Sequence, residues 1–514
     1  MGECNALNRL FLAASSLALA ASGASHAQPV NSLAADAAAF GAREAVHNPT
    51  LASNGSQIMY LTPGPGPATV AVITDLVGGK TQTVVSSDGK PEKLVWCNYA
   101  SQSRTVCRFR GEIEQGGDLV GFGRLVAIDS DGARPKLLGQ PSSNYDAWMR
   151  QDDGSIIDWL GGATGSVLMS RQYVPEEGKI GSNIIQKKRG LGVDRIDVAS
   201  LRSDTVESPR DGISAYLTDG RGTVRLTQAT EVNPGGMLTG RARYMYRTKA
   251  SRDWKPLIGF HDYDEFAPLA IDGEADLLYV LKKTRGRMAL YTMKLDGSLA
   301  QTLVAENPRV DIDDVIRAGA GGRIIGYTFA EDKRTTIYSD PQFSALAKSL
   351  SKALPKLPLV NFLDASPDGQ KLLIFAGSDS DPGRYYLFDR GKKALAEAMY
   401  ARPQLSGRTL AQVKAVTVPG AGGVNIPAYL TLPSGREAKN LPAVVLPHGG
   451  PSARDEWGFD WLAQFLAARG YAVLQPQYRG SAGFGDAWLN ENGFRNWRTS
   501  IGDITASAKW LSSQ

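Results

Sequence analysis

The sequence predicts an all-β propeller of about seven blades followed by part of an α/β domain, and two observations carry that expectation. Between residue 51 and residue 400 a unit of two or three alternating strands, closed by an acidic or glycine turn, recurs at spacings of roughly 40–60 residues. Beyond residue 412 the pattern changes to short, continuous apolar runs separated by a helix, as buried parallel strands require. With 514 residues the chain also exceeds what one hydrophobic core usually organises, so two domains are the default.

The N-terminus reads as an export signal. Arg9 precedes an apolar run from Leu10 to Ala21, and Ser25-His26-Ala27 is a small-x-Ala cleavage pattern. Residues 1–27 are therefore expected to be removed after Ala27 and the mature chain delivered to a bacterial periplasm. The run is too short to span a bilayer and no later stretch approaches about 20 apolar residues, so no membrane span is expected. Cys4 lies in the n-region and away from the cleavage point, which argues against lipid attachment.

Residues 28–50 come next, with a helical stretch from Ala34 to Val46, and then the propeller from 51 to 400. Leu51 to Tyr60 leads through a loop to Ala71–Leu76, and Asp364 to Phe375 leads in the same way to Tyr385–Asp389. Similar units run over Leu94–Ile128, Ile156–Val198, Ile213–Tyr246, Leu277–Leu295 and Ile324–Tyr338. Cys97 and Cys107 flank a hairpin turning near Gln102, which sets them opposite each other on one face. A disulfide is expected there in an oxidising compartment, with two buried thiols as the alternative. Two cysteines and scattered histidines give no ligand spacing, so neither a metal nor a cofactor is expected. Gly78-Gly79-Lys80-Thr81 lacks the first glycine of a phosphate-binding loop, Thr74 standing in its place, while Gly319–Gly322 and Gly420–Gly423 join strand to strand. A net charge of +5, spread without basic runs, implies neither nucleic acid nor an anionic membrane surface.

In residues 401–514, Val413–Val418 and Asn425–Leu432 form a hairpin around Gly420–Gly423. Buried strands follow at Ala443–Pro447 and Tyr471–Pro476, with a helix around Trp461 to Ala468 between them and another opening near Asp503. The first of these strands runs into His448-Gly449-Gly450-Pro451, a glycine turn of the kind that aims backbone N–H groups at a developing oxyanion. The second runs into the glycine-rich loop Tyr478–Gly485.

His448 to Pro451, Tyr478 to Gly485 and Asp503 to Leu511 resemble the His-Gly-Gly-Pro, Tyr-Arg-Gly-Ser-x-Gly-(Tyr/Phe)-Gly and Asp-x-x-x-x-x-x-Trp-Leu motifs of the prolyl oligopeptidase family of serine peptidases. The likeness lies near its acylaminoacyl-peptidase and dipeptidyl-peptidase-like branches. It implies a propeller followed by an α/β-hydrolase domain, against which the helix before the propeller packs back, and peptide substrates cleaved through an acyl-enzyme. It makes Gly450 an oxyanion-hole donor and gives His448, Gly449, Pro451, Tyr478, Arg479 and Gly480 a supporting role in the loops. Asp503 becomes structural, and Ser481 a poor nucleophile.

In that family the nucleophile's Gly-x-Ser-x-Gly-Gly follows the helix that carries Asp503, and the acid and histidine come later still. None of these stands among the 514 residues. The chain is thus expected to be inactive as it stands, a fragment or truncated product whose strand Ala443–Pro447 lies unpaired at a sheet edge. The competing expectation is a secreted propeller with a decayed hydrolase domain, serving as a peptide-binding or interaction module. No acidic pair in the propeller marks endo-, dipeptidyl- or acylaminoacyl-peptidase specificity, and oligomeric state is left open. The mature protein recovered from periplasm should begin at Gln28 on N-terminal sequencing; a chain still carrying Arg9 would refute the signal.

Overall fold

A computed structural model describes residues 32–162, 164–177, 185–263, 265–318, 322–450, 452–489 and 496–514. The expected signal segment, with Cys4, Arg9 and its cleavage point, lies outside these residues, as do Pro451 and Gly319 to Gly321.

Seven antiparallel meanders follow one another over residues 47–87, 92–137, 155–210, 213–262, 266–305, 312–338 and 359–400. Among the described residues six have four strands and the sixth has three. Alternation explains why they stack: each strand turns apolar side chains to both faces of its sheet, and each face needs a neighbouring sheet to cover it. Seven apolar clusters do this, one per junction. Met59 and Ile73 of the first blade meet Leu94 and Phe109 of the second, and Leu125 of the second meets Val167 and Ile196 of the third. Val193 meets Tyr216, Leu226 meets Leu278, and Leu290 meets Ile312. At the sixth junction Ile325 and Phe362 are joined by Phe343 and Leu350 of the helix Pro341–Ala353, which follows the sixth blade's third strand. At the seventh, Leu373 and Tyr385 return to Leu51 and Ile58 of the first blade, so the ring closes by packing rather than by a shared strand.

One hydrogen-bond system reinforces this closing seam. Asp364 Oδ2 accepts from the Leu51 N–H at 2.8 Å, and Oδ1 from its neighbour Ala365 at 2.8 Å. The chain enters and leaves the ring at the same place, with Ala45 N–H donating to Ala401 O at 2.8 Å and Arg402 Nη1 to Ala42 O at 2.6 Å. A cavity of about 520 Å³ lies on the ring axis, lined by inner-strand residues that include Asn98, Asp158, Thr218, Arg317 and Asp364.

The second sheet has the order Val413–Pro419, Asn425–Thr431, Ala472–Pro476, Ala443–Val445. Only its last pair is parallel, with Val444 opposite Val473. Among the described residues, Ala443–Val445 has a strand on one side only. It is shorter than the run Ala443–Pro447 expected from sequence, because Pro447 has no N–H to give the ladder; Leu446 makes the last bond, to Leu474 O at 2.8 Å. The final helix also differs from expectation, spanning Trp497–Ser512 so that Asp503 sits within it. Its Trp510 and Leu511 cover Val418, Ile426 and Leu474.

The helix before the propeller runs over Leu33–Gly41 and ends at Ala42, whose backbone is extended, so it stops short of the Val46 expected from sequence. Phe40 meets Phe465 of the helix Trp461–Ala468 at 6.0 Å between ring centres. Beneath them the buried Asp36 accepts from Arg408, and from Arg469 Nη1 at 2.9 Å.

Within the second blade Cys97 pairs directly with Cys107, and the two are joined as a disulfide closing a separation of 10 residues. Closing so short a loop contributes about 2–3 kcal/mol. Protein purified without reductant should therefore take up no alkylating reagent at either cysteine until reduced, and reduction should lower its melting temperature; alkylation of both without reductant would refute the bridge.

Candidate active-site loops

Parallel pairing of Ala443–Val445 with Ala472–Pro476 dictates where the chemistry gathers. Both strands run the same way, so the loops that follow them leave from one end of the sheet, which is where open α/β sheets build their sites. The segments His448–Gly450 and Tyr478–Gly485 are thereby brought together.

His448 and Tyr478 form the contact between the two loops. Their rings stack at 4.5 Å with 17° between planes, and the Tyr478 hydroxyl donates to His448 O at 2.8 Å. His448 Nδ1 lies 2.9 Å from Gly449 O and Nε2 lies 2.7 Å from Ser481 Oγ. Burial holds the imidazole below its ordinary pKa, which favours the neutral ring. The Ser481 hydroxyl is fully buried and donates its one proton to Tyr478 O at 2.7 Å, which leaves its oxygen as the acceptor facing Nε2. The Ser481–His448 pair therefore has the spacing of a nucleophile and its base but no face open to a carbonyl carbon, and it acts as an internal strut. Sequence gave no sign of this pair, because its members stand 33 residues apart.

Arg479 and Asp503 hold the second loop to the final helix. The Arg479 backbone N–H and Nε donate to Asp503 Oδ2 at 3.0 and 2.9 Å, and Nη2 donates to Oδ1 at 2.7 Å. Asp503 is wholly buried, so three charge-assisted bonds offset the cost of burying its carboxylate. Ser500 Oγ adds a bond to Arg479 O at 2.7 Å. Gly480 N–H donates to Trp488 O at 2.8 Å, while Trp488 Nε1 donates to Tyr478 O at 3.0 Å.

Gly450 lies exposed on top of this braced base. Its φ of +125° belongs to glycine, and a Cβ there would come within 3.0 Å of the Ala453 side chain. Its N–H has no acceptor among the described residues. A donor held at the carboxyl end of a strand, pointing at no protein group, is equipped to bind a developing negative charge.

Two residues that sequence reading passed over stand directly behind this turn. Arg454 reaches across to the propeller, giving Nη1 to Ala330 O at 2.8 Å. Asp455 exchanges backbone bonds with the Gln477 amide, at 3.2 Å to its N–H and 2.5 Å from its O, while its Oδ2 is buried without a partner. Burial first, and then the charge of Asp460, push the Asp455 carboxyl up to about 6.

Residues 457–514 match the sequence pattern described as the Prolyl oligopeptidase family. Dipeptidyl aminopeptidase BIII of Pseudoxanthomonas mexicana is 28% identical over 334 residues, covering 62% of this chain and 46% of that one. Dipeptidyl peptidase family member 6 of Caenorhabditis elegans is 35% identical over 152 residues, 26% of this chain and 20% of the other. The chain thus spans less than half the length of these two relatives. Among solved structures, a Mycobacterium tuberculosis puromycin-hydrolyzing peptidase superposes with a TM-score of 0.60 at 17% identity, over 94% of this chain and 74% of that one. A structure reported in a study of two prolyl endopeptidases gives a TM-score of 0.61 at 14% identity, over 95% and 69% of the two chains. These two neighbours share the propeller-plus-sheet fold.

Asp455 supplies a test of the site's electrostatics. A carboxyl whose pKa is raised on folding stabilises the fold fully below its unfolded value near 3.8 and loses that contribution as pH rises through about 6. Asp455→Asn keeps the neutral shape at every pH. It should stabilise the protein by about 2 kcal/mol at pH 7.5 and leave it unchanged near pH 3.5, as read from urea melts. An equal difference at both pH values would refute the buried, strained carboxyl.

Proposed function

The chain belongs to the prolyl oligopeptidase family, and from that premise we propose that it is the propeller and first hydrolase half of an exported serine-type peptidase acting on peptides. The reading rests on Gly450. Its unpaired N–H, exposed on a turn braced by His448, Tyr478 and Ser481, is supported as one donor of an oxyanion hole. One such donor is worth about 3–4 kcal/mol of transition-state stabilisation. In the working enzyme a serine would attack the scissile carbonyl carbon, forming a C–O bond while the carbonyl oxygen takes up negative charge against the Gly450 N–H. Collapse of that intermediate expels the amine, and water later releases the acyl group. His448, Tyr478, Arg479, Gly480 and Asp503 keep the loops in place and perform no proton transfer with substrate. The relatives named dipeptidyl aminopeptidase and dipeptidyl peptidase favour release of dipeptides as the finer activity. The export signal read at residues 1–27 favours the periplasm as its place of work.

No Gly-x-Ser-x-Gly occurs in these 514 residues, and the serine with a matching base is proposed to be missing from the chain as given. Loss of such a nucleophile costs on the order of 10⁶ in turnover. The purified polypeptide 28–514 should hydrolyse peptide and ester substrates no faster than background, and a fluorophosphonate probe should leave it unlabelled. Stoichiometric labelling of one serine would overturn this assignment.

A further inference from the structure

The sixth blade of the propeller and the link leading into it grip both loops of the site. The sixth blade's turn between Arg323–Ala330 and Arg334–Tyr338 presents Glu331, Asp332 and Lys333 to the segment that follows Gly450. Arg454 donates to Ala330 O at 2.8 Å and to Glu331 O at 3.2 Å, its guanidinium lying 4.4 Å over the Phe484 ring. Lys333 Nζ stands 3.7 Å from the centre of the Trp457 ring. The Tyr429 hydroxyl donates to Asp332 O at 3.0 Å.

Arg334 is the centre of the grip. Nε donates to Glu456 Oε2 at 2.7 Å and Nη2 to Oε1, a two-pronged bond across the domain boundary. Nη1 donates within the blade to Asp313 Oδ2 at 2.9 Å and to Thr328 Oγ1 at 3.1 Å, which fixes the fork before it meets its partner. The link from the fifth blade into the sixth holds the other loop. Asp311 N–H donates to Gly483 O at 2.9 Å, and Asp311 Oδ2 accepts from Gly485 N–H at 3.2 Å. Ala482 N–H then ties that loop to Ala453 O at 2.9 Å, so the two gripped segments are also bonded to each other.

We propose that Arg334 is a positioning residue that acts through Glu456: the sixth blade fixes residues 453–457 and thereby the orientation of the Gly450 N–H. The proposal rests on reading Gly450 as an oxyanion donor, but its mechanical content does not. A turn of three residues with a left-handed glycine has few bonds of its own, and Gly450 is three residues from Ala453. Rigidity therefore has to arrive from outside the turn. Among the described contacts it comes from the stacked His448–Tyr478 pair, from Gln477, Ala482 and Val413 of the same domain at Asp455, Ala453 and Trp457, and from the sixth blade at Arg454 and Glu456. Release of the blade would remove the anchor at Glu456, for which no other partner occurs among the described contacts.

Hydrogen exchange on the full chain tests this without requiring catalysis, so a failure here is distinct from a failure of the peptidase reading. Arg334→Met and Glu456→Gln should each raise exchange over residues 446–457 about tenfold. The double variant should do no more than either single change, because both remove the same bond. Arg334→Lys keeps the charge without the fork and should restore part of the protection. Peptides from blades one to four should be unchanged in every case. Loosening confined to residues 328–338, with 446–450 exchanging as before, would overturn the proposal, and so would additive effects in the double variant. Where a substitution raises exchange throughout the chain, the unsubstituted protein decides. Arg334 and Glu456 are both partly exposed and screened by salt, so 0.5 M NaCl should raise exchange at 446–457 selectively, and insensitivity to salt there would overturn the proposal.

Discussion

The molecule depends on closing a ring without a shared strand. Each of seven sheets leaves two apolar faces, and six junctions between consecutive sheets come almost as a consequence of chain order. The seventh does not, since it joins residues more than 300 positions apart. Leu51 and Ile58 must find Leu373 and Tyr385, each burial worth about 1.5–3 kcal/mol, and Asp364 must take the Leu51 N–H. The same seam fixes the chain's entry and exit, through Ala45 with Ala401 and Arg402 with Ala42. The second domain is held by the chain on both sides of the ring, so its placement over the propeller follows from where the ring closes.

That placement sets the sixth blade under the loops that carry Gly450 and Arg479. Gly485 shows how close the approach is: a Cβ there would lie 2.7 Å from Gly286 O of the fifth blade, and its φ is +81°. Backbone meets backbone at this point, and the site is assembled from both domains even though every candidate site residue belongs to one of them.

The parts legible in the sequence were those governed by local rules. Period-two alternation broken by turns such as Leu295-Asp296-Gly297-Ser298 identified the strand units in order, and the hairpin through Gln102 set Cys97 against Cys107. Boundaries were less legible where a residue contradicts its surroundings. The final helix begins at Trp497, but Trp497 and Ile501 are 57% and 52% exposed, and apolar residues on an outer face blur the helical period that would have marked its start. Contacts between distant segments left no trace at all. Arg334 and Glu456 are 122 residues apart, each an ordinary surface charge until the fold brings them together, and the Ser481–His448 strut is hidden for the same reason.

The helix Leu33–Gly41 has a consequence for synthesis. It is made near the beginning, yet its partners Arg408, Phe465 and Arg469 are among the later residues to leave the ribosome, Arg469 following Asp36 by 433 positions. At about 5–20 residues per second the 372 positions to Arg408 take roughly 20–75 s, during which Asp36 has no cation and Phe40 lacks its cover. A nine-residue helix cannot hold itself together in water over such an interval. The first element of the folded chain is therefore among the last to form, and the nascent propeller must complete its ring while trailing an unstructured leader that has to be kept from other apolar surfaces.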